Sequence, residues 1–276
     1  MKLSKYESAQ LKKIEQWKRQ SPSIASQVFT VALSPLTMLI QKLIPTAAVS
    51  SALKVSSSVA GWLTDSKDIL RDSGMADVQD LKTHDLETSD KLANSVHNWA
   101  IGVATTEGGV VGAVGLPALV VDIPVVIVLA LRVIHKIGVC YGFEVTSKGD
   151  KGHTGEKEFI LAILAESGAN DMEEKLAALA ALSAIETSLL LKDSLVDSKT
   201  DAEHSIVKEA GIISIKSLAR QIGMHLTKRK ALQAIPVLGT LVGASVNGWY
   251  IKEVGWSARR AYQARWLLEN KKITIS

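Results

Sequence analysis

The chain has 276 residues, 47% hydrophobic, 5% aromatic and 22% charged, with a net charge of +4 and a mean hydropathy of +0.17. So much apolar surface excludes a disordered tail, and a lone cysteine, Cys140, excludes a small disulfide-stapled domain. The length suits one large domain over 1–276, or two intertwined halves, with a core that can stand alone.

In chain order, residues 5–20 read as an amphipathic helix with Tyr6, Ile14 and Trp17 on one side, ended by Ser21-Pro22. It lies in a basic N-terminus, where Lys2, Lys5, Lys12, Lys13, Lys18 and Arg19 outnumber Glu7 and Glu15. No continuous apolar run follows the first positive charges, so no signal peptide is expected, and the lone cysteine gives no sign of an oxidising compartment. The expectation is a cytoplasmic protein, with peripheral attachment to the inner membrane as an option. A second helix is expected over 23–44, kinked at Pro35, and a third over 46–72, broken by Ser73-Gly74. Thr88 or Ser89 could cap a helix over 90–106, on which Leu92, Val96, Trp99, Ala100 and Val103 recur at helical spacing.

Residues 101–142 are then almost uncharged, with Glu107, Asp122, Arg132 and Lys136 the only formal charges. Residues 147–156, SKGDKGHTGE, read as an exposed loop between halves. Helices are expected over 156–167, 171–193 and 201–227. Residues 231–251 form a second uncharged stretch, and a last helix is expected over 253–270, in a C-terminus rich in Lys252, Arg259, Arg260, Arg265, Lys271 and Lys272. Alternation with period two is almost absent, so the chain reads as all-α, a compact multi-helix bundle with two buried glycine-rich apolar segments.

Both apolar stretches suit buried helices of a bundle better than membrane spans, with a membrane-inserting hairpin as the alternative reading. Residues 231–251 contain three glycines, Asn247, Gln233 and Pro236, and Asp122 interrupts the first stretch, where a central charge costs roughly 2.5–3.5 kcal/mol. Gly108 and Gly112 are four apart, as are Gly239 and Gly243, with Gly115 and Gly248 following. That spacing puts glycines on one helix face and admits a neighbouring backbone.

The chain has no P-loop, HExxH, GxSxG or Cys/His pair at metal-ligand spacing, so no cofactor or metal is expected. Nucleic acid is not an expected partner either, because no binding motif groups the arginines with stacking aromatics. Glu107, Asp122, Arg132 and His135 stand out as polar groups in the most apolar part of the chain. They are read as a buried ion-pair cluster, with Asp122 capping a helix over 123–142; a hydrolase would have to use the same four residues. Arg229, Lys230, Gln233 and Asn247 surround the second stretch. Gly108, Gly112, Gly115, Arg229, Gly239, Gly243 and Asn247 are therefore the candidate positions for binding a ligand or partner. Cys140 reads as a small core residue.

Several blocks together resemble the EcsC family. They are Trp17-Lys18 with Pro22, Ser89-Asp90-Lys91-Leu92, Thr106-Glu107-Gly108-Gly109 with Gly112, Gly115-Leu116-Pro117, Asp122-Ile123-Pro124 and Leu131-Arg132 with His135-Lys136-Ile137-Gly138 and Tyr141-Gly142. Ile235-Pro236-Val237-Leu238-Gly239, Gly243, Asn247, Tyr262 and Arg265-Trp266-Leu267 continue the resemblance over nearly the whole chain. It implies a bacterial protein, helical throughout, and supplies no reaction. The expected role is a non-enzymatic protein at the inner face of the membrane, binding lipid or a membrane protein through its basic termini and glycine-rich segments. A hydrolase and a carrier of an apolar ligand are the alternatives.

Overall fold

A computed structural model describes residues 2–22, 49–51, 53, 66–112, 118–144, 154–194, 215–233 and 236–274, with backbone only over 106–112, 118–123, 154, 191–194, 215–216, 227–233 and 236–246. The helices among these residues are α1 (Lys5–Arg19), α2 (Lys67–Ser73), α3 (Val78–Thr83), α4 (Leu86–Gly112), α5 (Ala118–Cys140), α6 (Thr154–Ser167), α7 (Met172–Ser194), α8 (Ile215–Gln233) and α9 (Pro236–Glu269). No strand occurs among the described residues, and the all-α expectation holds.

Local chemistry sets the helix ends. Ser4 and Glu7 form a capping box on α1: the Glu7 N–H donates to Ser4 Oγ at 3.1 Å and the Ser4 N–H to Glu7 Oε2 at 2.6 Å. α2 stops at Gly74, whose φ of 70° is left-handed, where glycine carries no Cβ penalty. At the end of α5 the Phe143 N–H reaches back to the Gly138 carbonyl and the Gly142 N–H to that of Val139, both at 2.9 Å. This winding needs the φ of +87° at Gly142.

Several boundaries differ from the sequence reading. α4 begins earlier than expected and is capped by Asp85, whose carboxylate accepts from the Thr88 N–H at 2.9 Å and the Thr88 hydroxyl at 2.8 Å. Thr88 is thus a donor to the cap rather than the cap. Asp122 does not cap a helix ahead of Pro124 either. Both residues lie inside α5, because a proline there forfeits a single ladder hydrogen bond while the apolar run carries on. The expected loop over 147–156 overlaps α6, which starts at Thr154. The stretch 231–251 is divided between α8 and α9, and the helix expected to begin at 253 is the second half of α9, which runs 34 residues, about 50 Å, without a break. The short α3 carries no strong periodicity and was not anticipated. Residues 23–44, most of 46–65 and 201–214 lie outside the described residues.

α9 is the axis of the bundle. It runs antiparallel to α4: Gln263 meets Asp90, Arg259 meets Asn94, Gly255 meets His97 and Gly248 meets Thr105. α5 packs on both helices, and Gly138 sits directly under the Tyr262 ring, which a Cβ would approach to 2.7 Å. α6 and α7 pair on the far side, and α1 lies across α9. Four aromatic residues form one buried stack, in which Tyr141, Phe143 and Phe159 surround Tyr262 at centroid distances of 5.2–6.3 Å. Among the described residues, no helix is long and apolar enough to cross a membrane.

Candidate functional site

The structure places the sequence-derived candidates as follows. His135 is buried in α5, and burial, reinforced by Lys136 and opposed by Glu156, pushes its imidazole down to about 4. It is therefore neutral at pH 7. Arg132, one turn earlier, lies over the Trp99 ring at 5.7 Å and so faces α4. The two share α5 but not an environment: one is interior, the other lies beside a half-exposed indole. Glu107, Gly108 and Gly112 belong to α4, Asp122 to α5, Arg229 to α8, and Gly239 and Gly243 to α9. The side chains of Glu107, Asp122 and Arg229, like the whole of Gly115, lie outside the described residues. Asn247 is buried in α9. No group of three His, Cys, Asp or Glu suited to a metal occurs among the described residues. Cys140 is buried, its Sγ donates to the Lys136 carbonyl at 3.2 Å, and burial raises its thiol well above the usual range, so it has no thiolate character.

The interior polar centre is Asp90, 3% exposed. Its Oδ2 accepts from the Tyr6 hydroxyl at 2.6 Å, and its Oδ1 accepts from the Tyr141 hydroxyl and from Gln263 Nε2, the latter at 2.6 Å. Arg260 extends the network by donating to Gln263 Oε1 at 2.6 Å and to Gln10 Oε1 at 3.1 Å. Burial and the Asp90 carboxylate hold both phenols above their usual pKa. One carboxylate thus ties together α1, α4, the end of α5 and α9.

Two further buried ion pairs do similar work. Lys175 on α7 bonds Glu166 on α6 at 3.1 Å and donates to the Trp17 and Gln20 carbonyls, at 2.7 and 2.8 Å, at the C-terminal end of α1. Arg265 grips Glu156 with two hydrogen bonds of 2.7 and 2.5 Å, bonds Glu269 at 2.9 Å, and lies 4.0 Å from the Phe143 ring centre. Each of these pairs bridges separate helices, so their geometry is that of interior fasteners.

The outer surface is different. On α1, Lys5, Lys12, Lys13 and Arg19 are exposed and fall within an arc of roughly 120° at about 100° per residue. Both acids of this helix lie off that arc. Glu7 is buried against Lys272 at 3.2 Å, and Glu15 pairs with Lys18 at 3.3 Å. Next to α1, Trp256 on α9 is 39% exposed, with Arg259 and Arg260 at 4.5 and 5.1 Å from its ring centre. Trp99 on α4 is 45% exposed and carries Arg132 and Lys136, the latter at 5.4 Å and bonded to Asp68 at 2.6 Å.

Sequence reasoning missed Asp90 as a centre and missed both tryptophans. Trp256 had a legible signal, because arginines three and four residues later on a helix reach back over its ring. Trp99 had none, because its cations come from another helix. Asp90 reads in the sequence as an ordinary polar residue near a helix start.

The model of the EcsC protein family matches residues 8–267. A protein of Bacillus subtilis (strain 168), described as the uncharacterized protein YdbA, is 25% identical over 282 residues, covering 96% of this chain and 94% of its own length. No solved structure matches the chain.

Proposed function

The chain belongs to the EcsC protein family, and on that premise we propose that it is a non-enzymatic helical protein that docks peripherally on the anionic inner face of a bacterial membrane. The observation that carries this reading is the outer face of α1, where Lys5, Lys12, Lys13 and Arg19 are exposed and both acids are engaged elsewhere. A basic residue near an anionic leaflet contributes about 1 kcal/mol, so four give roughly 4 kcal/mol, which corresponds to about millimolar affinity. Electrostatics of this size brings the protein to the surface but needs a second, apolar contribution to hold it there.

Co-sedimentation with vesicles tests the proposal. The full chain is mixed at low salt with vesicles of phosphatidylcholine alone or with 30% phosphatidylglycerol. We expect binding to the anionic vesicles only, reversed by 0.5 M salt, because exposed charges are screened within a few ångströms at high ionic strength. Replacing Lys5, Lys12 and Lys13 together by Glu should abolish it. Failure of the unaltered protein to bind anionic vesicles at low salt would overturn the reading.

A further inference from the structure

Resting on that reading, we infer that Trp256 and Trp99 are the interfacial anchors of the docked protein and that the outer ridge of α4 between them lies against the lipid head groups. The two indoles stand at the same level on opposite sides of one helix. The His97 ring meets Trp256 edge-on at 5.6 Å, and Trp99 follows His97 by two residues, a rotation of about 200° and an advance of about 3 Å. Between them α4 exposes Lys91, Asn94, Ser95, Asn98, Gly102 and Thr105. These are short or polar side chains, and the one acid at the start of the ridge, Glu87, is bonded to Lys91 at 3.0 Å. The ridge is therefore low, acid-poor and bracketed by aromatic rings.

The same face continues into the basic surface of α1. α9 meets α4 along the flank that carries Gly255 and Gly248, and meets α1 at Arg260. Trp256 and the exposed Lys252 occupy the strip left open between these contacts. Arg260 bonds Gln10 at 3.1 Å, and Lys13 stands one turn beyond Gln10 on α1. The cations of α1 and Lys252 beside Trp256 thus adjoin the ridge of α4, which is neutral because its exposed cation, Lys91, is paired with Glu87.

The chemistry of this surface fits a bilayer interface. An indole has an apolar body and one N–H donor and settles at head-group depth, where neighbouring Arg and Lys side chains reach lipid phosphates. Arg259 and Arg260 both lie over the Trp256 ring, at 4.5 and 5.1 Å, where a nucleobase would have to stack, which disfavours single-stranded nucleic acid as the occupant.

The test uses the unaltered full chain with phosphatidylcholine/phosphatidylglycerol vesicles whose acyl chains are brominated near the head group. Tryptophan fluorescence should be quenched on binding. Trp256→Phe and Trp99→Phe should each remove part of the quenched signal. Trp256→Ala and Trp99→Ala should each weaken partitioning by roughly tenfold, with the circular dichroism unchanged. Two results overturn the inference while leaving peripheral docking intact: binding to anionic vesicles without quenching, or a Trp99→Ala/Trp256→Ala protein that partitions like the unaltered one. Absence of any vesicle binding at low salt removes both proposals. Fluorescence quenching by oligo(dT) in place of vesicles identifies the face as a nucleic-acid surface and overturns both as well.

Discussion

Asp90 is where single substitutions should be felt most. A buried carboxylate that accepts from two phenols and an amide leaves three orphaned donors when it is removed, so Asp90→Ala should destabilise the fold by about 3 kcal/mol or more. Tyr6→Phe removes one donor at the rim of the network and should cost about 1–2 kcal/mol. Urea unfolding of both variants and of the double variant would show strong non-additivity, because the two share one hydrogen bond. The histidines give a pH signature. Burial, reinforced by Arg259, pushes His97 down to about 4, and its Nε2 hydrogen-bonds the Lys252 carbonyl at 2.9 Å, so the ring is neutral with the proton on Nε2. A folded pKa of about 4 against an ordinary 6.5 means that the unfolded chain binds more protons between those values. The stabilisation is therefore complete above pH 6.5 and is lost as the pH falls towards 4, on the order of 3 kcal/mol for each such histidine. His135 behaves alike. Glu186, pushed up to about 7 by burial, tilts the other way, favouring the fold at lower pH between 4.5 and 7. The histidine contribution is best read by difference: His97→Gln should lose less stability than the unaltered protein when melting is followed from pH 7 to 4.5.

Glycines decide how closely the helices approach. At Gly255 an added Cβ would collide with the His97 ring, which is fixed by its bond to Lys252 and by the edge of Trp256. At Gly248 it would come within 2.5 Å of the Thr105 hydroxyl, which donates to the Ile101 carbonyl at 2.7 Å but is exposed, so it can turn away and exchange that bond for water. Gly255→Ala should accordingly cost about 1–3 kcal/mol and Gly248→Ala well under 1 kcal/mol, as thermal melts would show. The element scale also shows which parts of the fold were legible. α1, α6 and α7 were readable within about two residues because caps, Pro22 and terminal charges mark their ends. The unbroken α9 was not, because the charges from Lys252 onward mimic the start of a new amphipathic helix. Of the charges on α9 from Lys252 onward, only Lys252 is exposed; Arg259 and Arg265 are buried and bonded to Asn94 and Glu156, inside one continuous helix. Asp85 was passed over as a cap because Thr88 and Ser89 are themselves good capping types.

For the whole molecule, the all-α class followed from the absence of period-two alternation, and the family from glycine, proline and charged blocks spread along the chain. The candidate surface was only half legible. The lysines of α1 announce themselves, whereas the pairing of Trp99 with Arg132 exists only once α4 and α5 are packed. That packing is long-range information which no local window contains. One feature of α1 reaches beyond the docking surface. Its inner face is held largely by polar groups: Tyr6 on Asp90, Glu7 on Lys272, Gln10 on Arg260, and the Trp17 and Gln20 carbonyls on Lys175, with Ile14 its one fully buried apolar side chain. Such a dock resembles a latch more than a wedge: Leu3, Leu11 and Trp17 also pack against the core, but the polar bonds make its strength sensitive to ions and water. Hydrogen exchange should therefore show α1 opening as a separate low-energy unit, faster in 0.5 M salt than in dilute buffer, while the amides of α4 and the second half of α9 hold to the global unfolding limit.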